Sequence, residues 1–332
     1  MSKLAVIALG GNALLRDNQE GTVEQQEQNT TETLENIVFL LKEGYNIVIT
    51  HGNGPQVGNI VMRNDAGENL YNIPQMPLDI CVADSQGGIG YMIERALKNV
   101  LKEHGIQRNI LSLMTMVEVD PNDTAFKNPS KRIGKTITKE EADKMAAAKN
   151  WIYKEEKKKP GGYRRVVPSP MPKHIMNWEV IAQNAKAGTI IIAVGGGGVP
   201  VYTDEKGNIR PSEAVIDKDL ASSMLATQIG ANEFFIPTDV PFVYRNYGEP
   251  DQEIIEFLNV ADTKKLMDEG IFGEGSMAPK IKAALGFIER GGDKSIITES
   301  KALDNKAYGT KITMDYDEKD LHKYDNQENP NW

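Results

Sequence analysis

Cysteine is nearly absent. Cys81 is the only one in 332 residues, which excludes a disulfide within the chain and makes the cytoplasm the default compartment. A lone cysteine of this kind reads as a small buried hydrophobe. Histidine is scarce too: His51, His104, His174 and His322 are scattered, and no zinc-ligand spacing exists. No apolar run approaches the roughly 20 residues of a membrane span, so no membrane partner is expected. The amino-terminal run, Leu4 to Leu9, is followed at once by Gly-Gly-Asn and reads as a first strand rather than a signal peptide. No G-x-x-x-x-G-K-[ST] occurs, which excludes a P-loop protein, and no H-R-D or D-F-G, which excludes a protein-kinase fold. Gly52-Asn-Gly-Pro-Gln-Val-Gly58 is one residue too long for the dinucleotide fingerprint, and the glycine run 195–198 lacks its last glycine, so a dehydrogenase is disfavoured.

What is present is charge, unevenly placed. The net charge is −9, yet residues 127–173 hold 14 Lys and Arg against 5 Asp and Glu, a local +9 that leaves −18 for the remainder. Such a window marks an anion or nucleic-acid site, or a solvated face; the run Lys154–Lys159 taken alone reads as a solvated face. The segment 315–332 holds six acids and two lysines and reads as a solvated tail.

Strand and helix patterns alternate along the chain. Strands are expected at Leu4–Leu9, Asn46–Thr50, Ile110–Met116, Thr189–Val194, Glu233–Thr238, Ser295–Thr298 and Lys311–Met314. Leu34, Ile37, Val38 and Leu41 mark one helix face closed by Gly44. Ser85 is the expected cap of a helix bearing Ile89, Ile93, Leu97 and Val100. Further helices are expected at 180–187, at 217–229 and around Ile281–Ile288. Apolar strands interleaved with helices imply βαβ units and a mostly parallel sheet covered on both faces. The stretch 120–172 breaks the alternation and reads as an insertion or lid.

Three of the strands end in glycine: Gly10-Gly11-Asn12, Gly52-Asn53-Gly54 and Gly195 to Gly198. In a parallel sheet these loops share the carboxyl edge, where such folds bind ligands. Unhindered N–H groups in a row make a nest for anions. The four bare residues at 195–198 are expected to let phosphate oxygens reach the backbone. His51, inside one loop, reads as a local hydrogen-bonding residue rather than a base.

Lys218 stands at an expected helix start between Asp217 and Asp219, where a cation opposes the helix dipole. The flanking acids can orient its ammonium. Lys280 follows a glycine turn and Pro279 at another helix start, and Lys131 lies in the basic insertion. Singly each reads as a surface charge. Together with three anion-binding loops they read as cationic clamps on a transferring phosphoryl group.

With these residues in view, the sequence resembles the carbamate kinases of the amino acid kinase family, from about Leu4 to about Met314. The resemblance is carried by ALGGNALL, THGNGPQVGNI, MPLDICVADSQGGIGYMIERAL, EVDPNDTAFKNPSKRIG, RRVVPSPMP, VGGGGVPV, AVIDKDLAS, TDVPFVYRNYG and GSMAPKIKAA. It implies an α/β fold, a three-layer αβα sandwich with an open, mostly parallel sheet. One kinase domain would span 1–314, with a protruding basic lid at 119–171 and an acidic tail at 315–332. It implies a homodimer without nucleic acid, and reversible phosphoryl transfer between ATP plus carbamate and ADP plus carbamoyl phosphate, often run toward ATP in arginine fermentation. Mg²⁺ would arrive with the nucleotide, with no metal site of the protein's own. By motif position, Gly10, Gly11, Asn12, Gly52, Asn53 and Gly54 would hold the carbamoyl phosphate side. Lys131 would reach from the lid, Lys218 and Lys280 would stabilise the phosphoryl group, and Asp217 would orient the lysines. Gly195, Gly196, Gly197, Asp239, Tyr244 and Met277 would lie near the nucleotide.

Some positions depart from the family pattern. Lys159-Pro-Gly-Gly-Tyr-Arg-Arg165 lacks the usual first arginine, for which Lys158 or Lys159 is the expected substitute. Asp84 stands where an uncharged residue is usual, Pro241 replaces an acid or polar residue, and the tail is longer than usual. These departures keep two rival readings in view: a sibling kinase for another small carboxylate or carbamoyl-type acid, and a non-catalytic nucleotide-binding regulator.

Overall fold

The structure is a computed structural model and describes residues 2–16, 19–156, 159–273, 277–305 and 308–315. The side chain of Asn12, Lys158, and the tail beyond 315 lie outside the described residues.

An eight-stranded sheet organises the molecule. Its order is Phe257–Asn259, Thr310–Thr313, Lys294–Glu299, Glu233–Thr238, Leu4–Leu9, Asn46–His51, Ile190–Ile192, Ile110–Ser112. Six strands run parallel; Thr310–Thr313 runs against Lys294–Glu299 and carries Phe257–Asn259 with it. The central strands are apolar without alternation because helices cover both faces. One core under the sheet gathers Val6, Val48, Leu225, Phe234 and Phe287, and the opposite core gathers Ile7, Leu9, Ile49, Ile93 and Leu97. Each strand's successive residues therefore feed the two cores in turn.

Leu4–Leu9 pairs with Asn46–His51 on one side and with Glu233–Thr238 on the other. The chain winds away from it in both directions, so a crevice opens beyond its carboxyl end.

Several expected boundaries shift. The Leu34–Leu41 face is split between helices Val23–Glu35 and Val38–Lys42. The long helix starts at Leu78 behind Pro77, so Ser85 lies inside it and donates to the Val82 carbonyl at 2.6 Å instead of capping. The expected strand Ile110–Met116 is two strands, Ile110–Ser112 in the main sheet and Met116–Val119 in a four-stranded sheet with Ile209–Pro211, Val199–Thr203 and Pro172–Ile175.

Within 119–171 lies a separate unit. Strands Lys131–Thr138, Lys159–Val167 and Ile152–Glu156 form an antiparallel sheet with helix Lys139–Lys149 against it. It sits on helix Gly54–Tyr71. There Gly58 and Gly134 meet backbone to backbone, and a Cβ on Gly58 would fall under 3.0 Å from Gly134 Cα. The seam is sealed by Val57, Val61, Cys81 and Val82 of the body against Ile133 and Val167 of the lid.

Candidate active site

The crevice is a cleft of about 300 Å³. Gly10 and Gly11 form its floor, Thr238 and Asp239 one wall, and Lys131, Lys218 and Lys280 converge on it with Asp217 and Asp219. The three lysines come from the lid strand and from the first turns of two separate helices.

Asp217 caps helix Lys218–Gln228. Its Oδ1 accepts from the N–H groups of Asp219 at 2.9 Å and Leu220 at 3.3 Å. Its Oδ2 accepts from Lys131 Nζ at 2.7 Å. Burial alone would push its carboxyl up, but the Lys131 ammonium holds it below the usual carboxylate range. One residue thus anchors both the helix and the lid's lysine.

Lys218 is buried despite its place at a positive helix end. Its ammonium donates to Asp219 Oδ1 and, at 3.3 Å, to the carbonyl of Ala8 in the central strand. Burial pushes its pKa down to about 8, against the opposing pull of Asp219. Lys280 Nζ donates to the other oxygen of Asp219 at 3.0 Å. Burial would lower the Lys280 pKa, but Asp219 outweighs it and holds it above the ordinary lysine value. Asp219 itself, though buried, is held far below the carboxylate range by the two ammonium groups. Its single charge thus orients two cations, whereas the sequence points to it only as a flank of Lys218.

The glycine loops divide by role. Gly11 is open, with nothing within 4 Å of a would-be Cβ. A Cβ on Gly10 would stand 3.2 Å from the Pro237 carbonyl, and one on Gly52 3.3 Å from Lys218 Cδ, so Gly52 is bare because the lysine stem crosses it. Asn53 is buried and donates to Ser85 Oγ at 2.8 Å. Gly54 opens helix Gly54–Tyr71 under the lid. Gly52, Asn53 and Gly54 adjoin the cleft rather than line it.

Gly195 to Gly198 are buried in protein and are not among the residues that line the cleft. A Cβ on any of them would fall under 3.0 Å from His51, Asn53, Ile216 or Val117, in that order. Protein atoms fill the space beside each Cα of the run, and the Gly197 and Gly198 N–H groups turn inward to the Val194 and Gly195 carbonyls at 3.1 and 3.0 Å. His51 keeps its expected local role: Nδ1 meets the Gly52 carbonyl at 2.9 Å, and burial pushes its pKa down to about 4, so the ring is neutral.

Asp239 sits on the cleft wall, its Oδ1 accepting from Thr238 Oγ1 at 2.9 Å. Met277 opens the helix that carries Lys280. Tyr244 is not among the residues that line the cleft and is stacked obliquely on Tyr247 with ring centres 5.6 Å apart. Arg164 and Arg165 bond within the lid. Arg164 donates to the Gly134 carbonyl at 2.8 Å, and the Arg165 guanidinium lies 3.9 Å from the Trp151 ring centre. Asp84 is exposed on the long helix.

Such a cleft can bind anions side by side and neutralise charge passing between them. It offers no histidine base. Among the described residues no three His, Cys, Asp or Glu side chains gather to hold a metal, and Asp217 and Asp219 are already committed to ammonium and N–H groups. That donor set fits a cation that arrives on phosphate oxygens and keeps its waters, not a protein cage.

The chain is similar to known proteins over nearly its whole length. The pattern of the amino acid kinase family matches residues 3–299. Carbamate kinase of Pyrococcus furiosus is 44% identical over 316 residues, 94% of this chain and 99% of that protein. The structure of carbamate kinase from Giardia lamblia bound to citric acid superposes with a TM-score of 0.88 at 38% identity, covering 95% of this chain and 99% of that one. The same enzyme bound to AMP-PNP gives 0.86 at 39% identity, with the same coverage. This chain belongs to the amino acid kinase family, among its carbamate kinases.

Proposed function

We propose that the cleft transfers a phosphoryl group reversibly between ATP plus carbamate and ADP plus carbamoyl phosphate. The observation that carries this reading is the convergence of Lys131, Lys218 and Lys280 on one cleft at the carboxyl end of the central strand. Carbamate is already an anionic oxygen nucleophile, so no base is required. The protein's work is to bring two anions into line and to neutralise the charge that spreads over the transferring group.

Lys218 and Lys280, both steered by Asp219, face the phosphoryl group. The Gly10 and Gly11 backbone, with Asn12, Gly52, Asn53 and Gly54, holds the carbamoyl phosphate side. Lys131 reaches it from the lid, and on substrate binding exchanges Asp217 for a substrate oxygen. Asp239, Tyr244 and Met277 flank the nucleotide. Mg²⁺ would enter on the nucleotide phosphates and would share their charge, and Asp239 of the cleft lining would be available to help hold it.

The same reading carries a homodimer in the cytoplasm that runs toward ATP in arginine breakdown. Support for pairing is an exposed apolar run, Leu70, Tyr71, Ile73, Met76 and Ile80, of the kind that marks an interface. The arginines of the altered 159–165 segment are spent inside the lid, which supports its being tolerated.

The test is ATP formation from ADP, Mg²⁺ and carbamoyl phosphate, with acetyl phosphate as the competing donor. Turnover specific to carbamoyl phosphate is expected; preference for acetyl phosphate overturns the substrate assignment. Lys218→Ala and Lys280→Ala should each cost on the order of 10²–10³ in rate, as for removal of one charge-stabilising donor. Near-normal turnover in either removes that lysine from the mechanism.

A further inference from the structure

Four of the five residues from Val194 to Gly198 have positive φ, and the run does not line the lysine cleft. Val194 has φ 54°, and Gly196, Gly197 and Gly198 follow with φ 66°, 92° and 89°. A β-branched residue in the left-handed region is strained and persists only where its surroundings hold it. Here they do. The Val194 N–H donates to Thr115 Oγ1 at 3.1 Å, and its carbonyl accepts from the Gly197 N–H at 3.1 Å. Thr115 is itself clamped by the buried Gln86, which accepts from its N–H at 2.9 Å and donates to its carbonyl at 3.2 Å.

The loop lies between two parts of the proposed site. On one side Gly195 abuts His51 and Gly196 abuts the Asn53 carboxamide; on the other, Gly197 abuts the carbonyl of Ile216, the residue before the Asp217 cap. Asn53 cannot turn aside cheaply, since it is buried and bonded to Ser85. We infer that the Val194–Gly198 loop is a rigid backbone spacer that fixes the distance between Asn53 and the Ile216–Lys218 turn, with Gly196 and Gly197 as positioning residues. This rests on the proposed phosphoryl transfer, and it makes close packing against Asn53 and Ile216 a reason for glycine at these positions.

The two glycines should then fail differently. Gly196→Ala displaces Asn53 and should raise the KM for carbamoyl phosphate by about tenfold, with the KM for ADP unchanged. Gly197→Ala displaces the turn that carries Lys218 and should lower kcat on the order of 10²-fold, as for a small misplacement of a reacting group. The decisive comparison is a double-mutant cycle. Asn53→Ala with Gly196→Ala should have the same carbamoyl phosphate KM as Asn53→Ala alone, because truncating Asn53 opens the space that the added methyl group needs. Its thermal midpoint should also lie above that of Gly196→Ala. Additive effects in both readouts overturn the spacer. So does a higher KM for ADP as the main effect of either glycine substitution, which would put the nucleotide on the loop. The thermal arm needs no turnover, so it still tests the spacer if carbamoyl phosphate proves not to be the substrate.

Discussion

Asp219 is the residue on which the site turns. One carboxylate, shut away from water, accepts from Lys218 and from Lys280, and so fixes two cations with one anion. Breaking such an arrangement leaves a buried charge without its partner, which costs several kcal/mol. Asp219→Asn should therefore lose activity through both lysines at once, and about as much as the worse single lysine variant, since the three act as a unit. Lys218 adds a pH signature. Its pKa is pushed down to about 8, so the charge that it presents to the cleft is lost as pH rises through that value. In the free enzyme, kcat/KM for carbamoyl phosphate should fall above pH 8. The folding sign is opposite. Between about 8 and 10.5 the unfolded lysine binds the proton that the folded one releases, so stability due to this residue rises across that window. Lys218→Arg should abolish the alkaline limb whatever it does to the maximum, because guanidinium stays charged. An unchanged limb would assign it to another group.

Elements carry the lid's seating. Polar ties that join lid to body include Lys131 to Asp217 at the cleft, and Lys149 to Asp65 and Glu68 on helix Gly54–Tyr71. Asp65 Oδ1 is closed to solvent and makes no hydrogen bond among the described residues; the Lys149 ammonium at 3.2 Å is the cation it faces. Lys149→Ala should loosen the lid and raise the KM for carbamoyl phosphate about fivefold, the equivalent of ~1 kcal/mol, with kcat little changed. Lys149→Arg should restore it, and an equal rise in the ADP KM would show that the lid does not serve one substrate alone. At this scale the sequence is a good guide to the parallel frame. Unbroken apolar runs such as Leu4–Leu9 and Ile190–Ile192 have no other home than a sheet covered on both faces. Boundaries are less legible. The long helix starts behind Pro77 because proline's fixed φ suits that place, while Ser85 looks like a cap only until its hydroxyl bonds back to Val82. The grip of Asp219 on Lys280 spans 61 residues and leaves no local pattern. The glycine run is the instructive case: composition shows that side chains are forbidden there, but not which atoms forbid them.

At the scale of the whole molecule, the chain sets a basic lid on an acidic body: +9 within 127–173 and −18 elsewhere. A charge divided in this way draws small anions toward the lid's side of the cleft and repels them from the rest. The kcat/KM for carbamoyl phosphate should therefore fall on the order of tenfold from low to high ionic strength. Neutralising Lys154 and Lys159, exposed lid residues outside the cleft, should flatten that dependence while leaving kcat alone. A salt response that survives their replacement would locate the attraction in the cleft lysines.

Cys81 lies in the seam between lid and body, among Val57, Val82, Ile133 and Val167, and its thiol is pushed up to about 11, chiefly by burial. It is therefore unreactive for as long as the lid is seated. Because it is the only thiol in the chain, its rate of labelling by a thiol reagent is a clock for lid opening that needs no engineered cysteine. Substrates that seat the lid should slow that clock, and Lys149→Ala should quicken it.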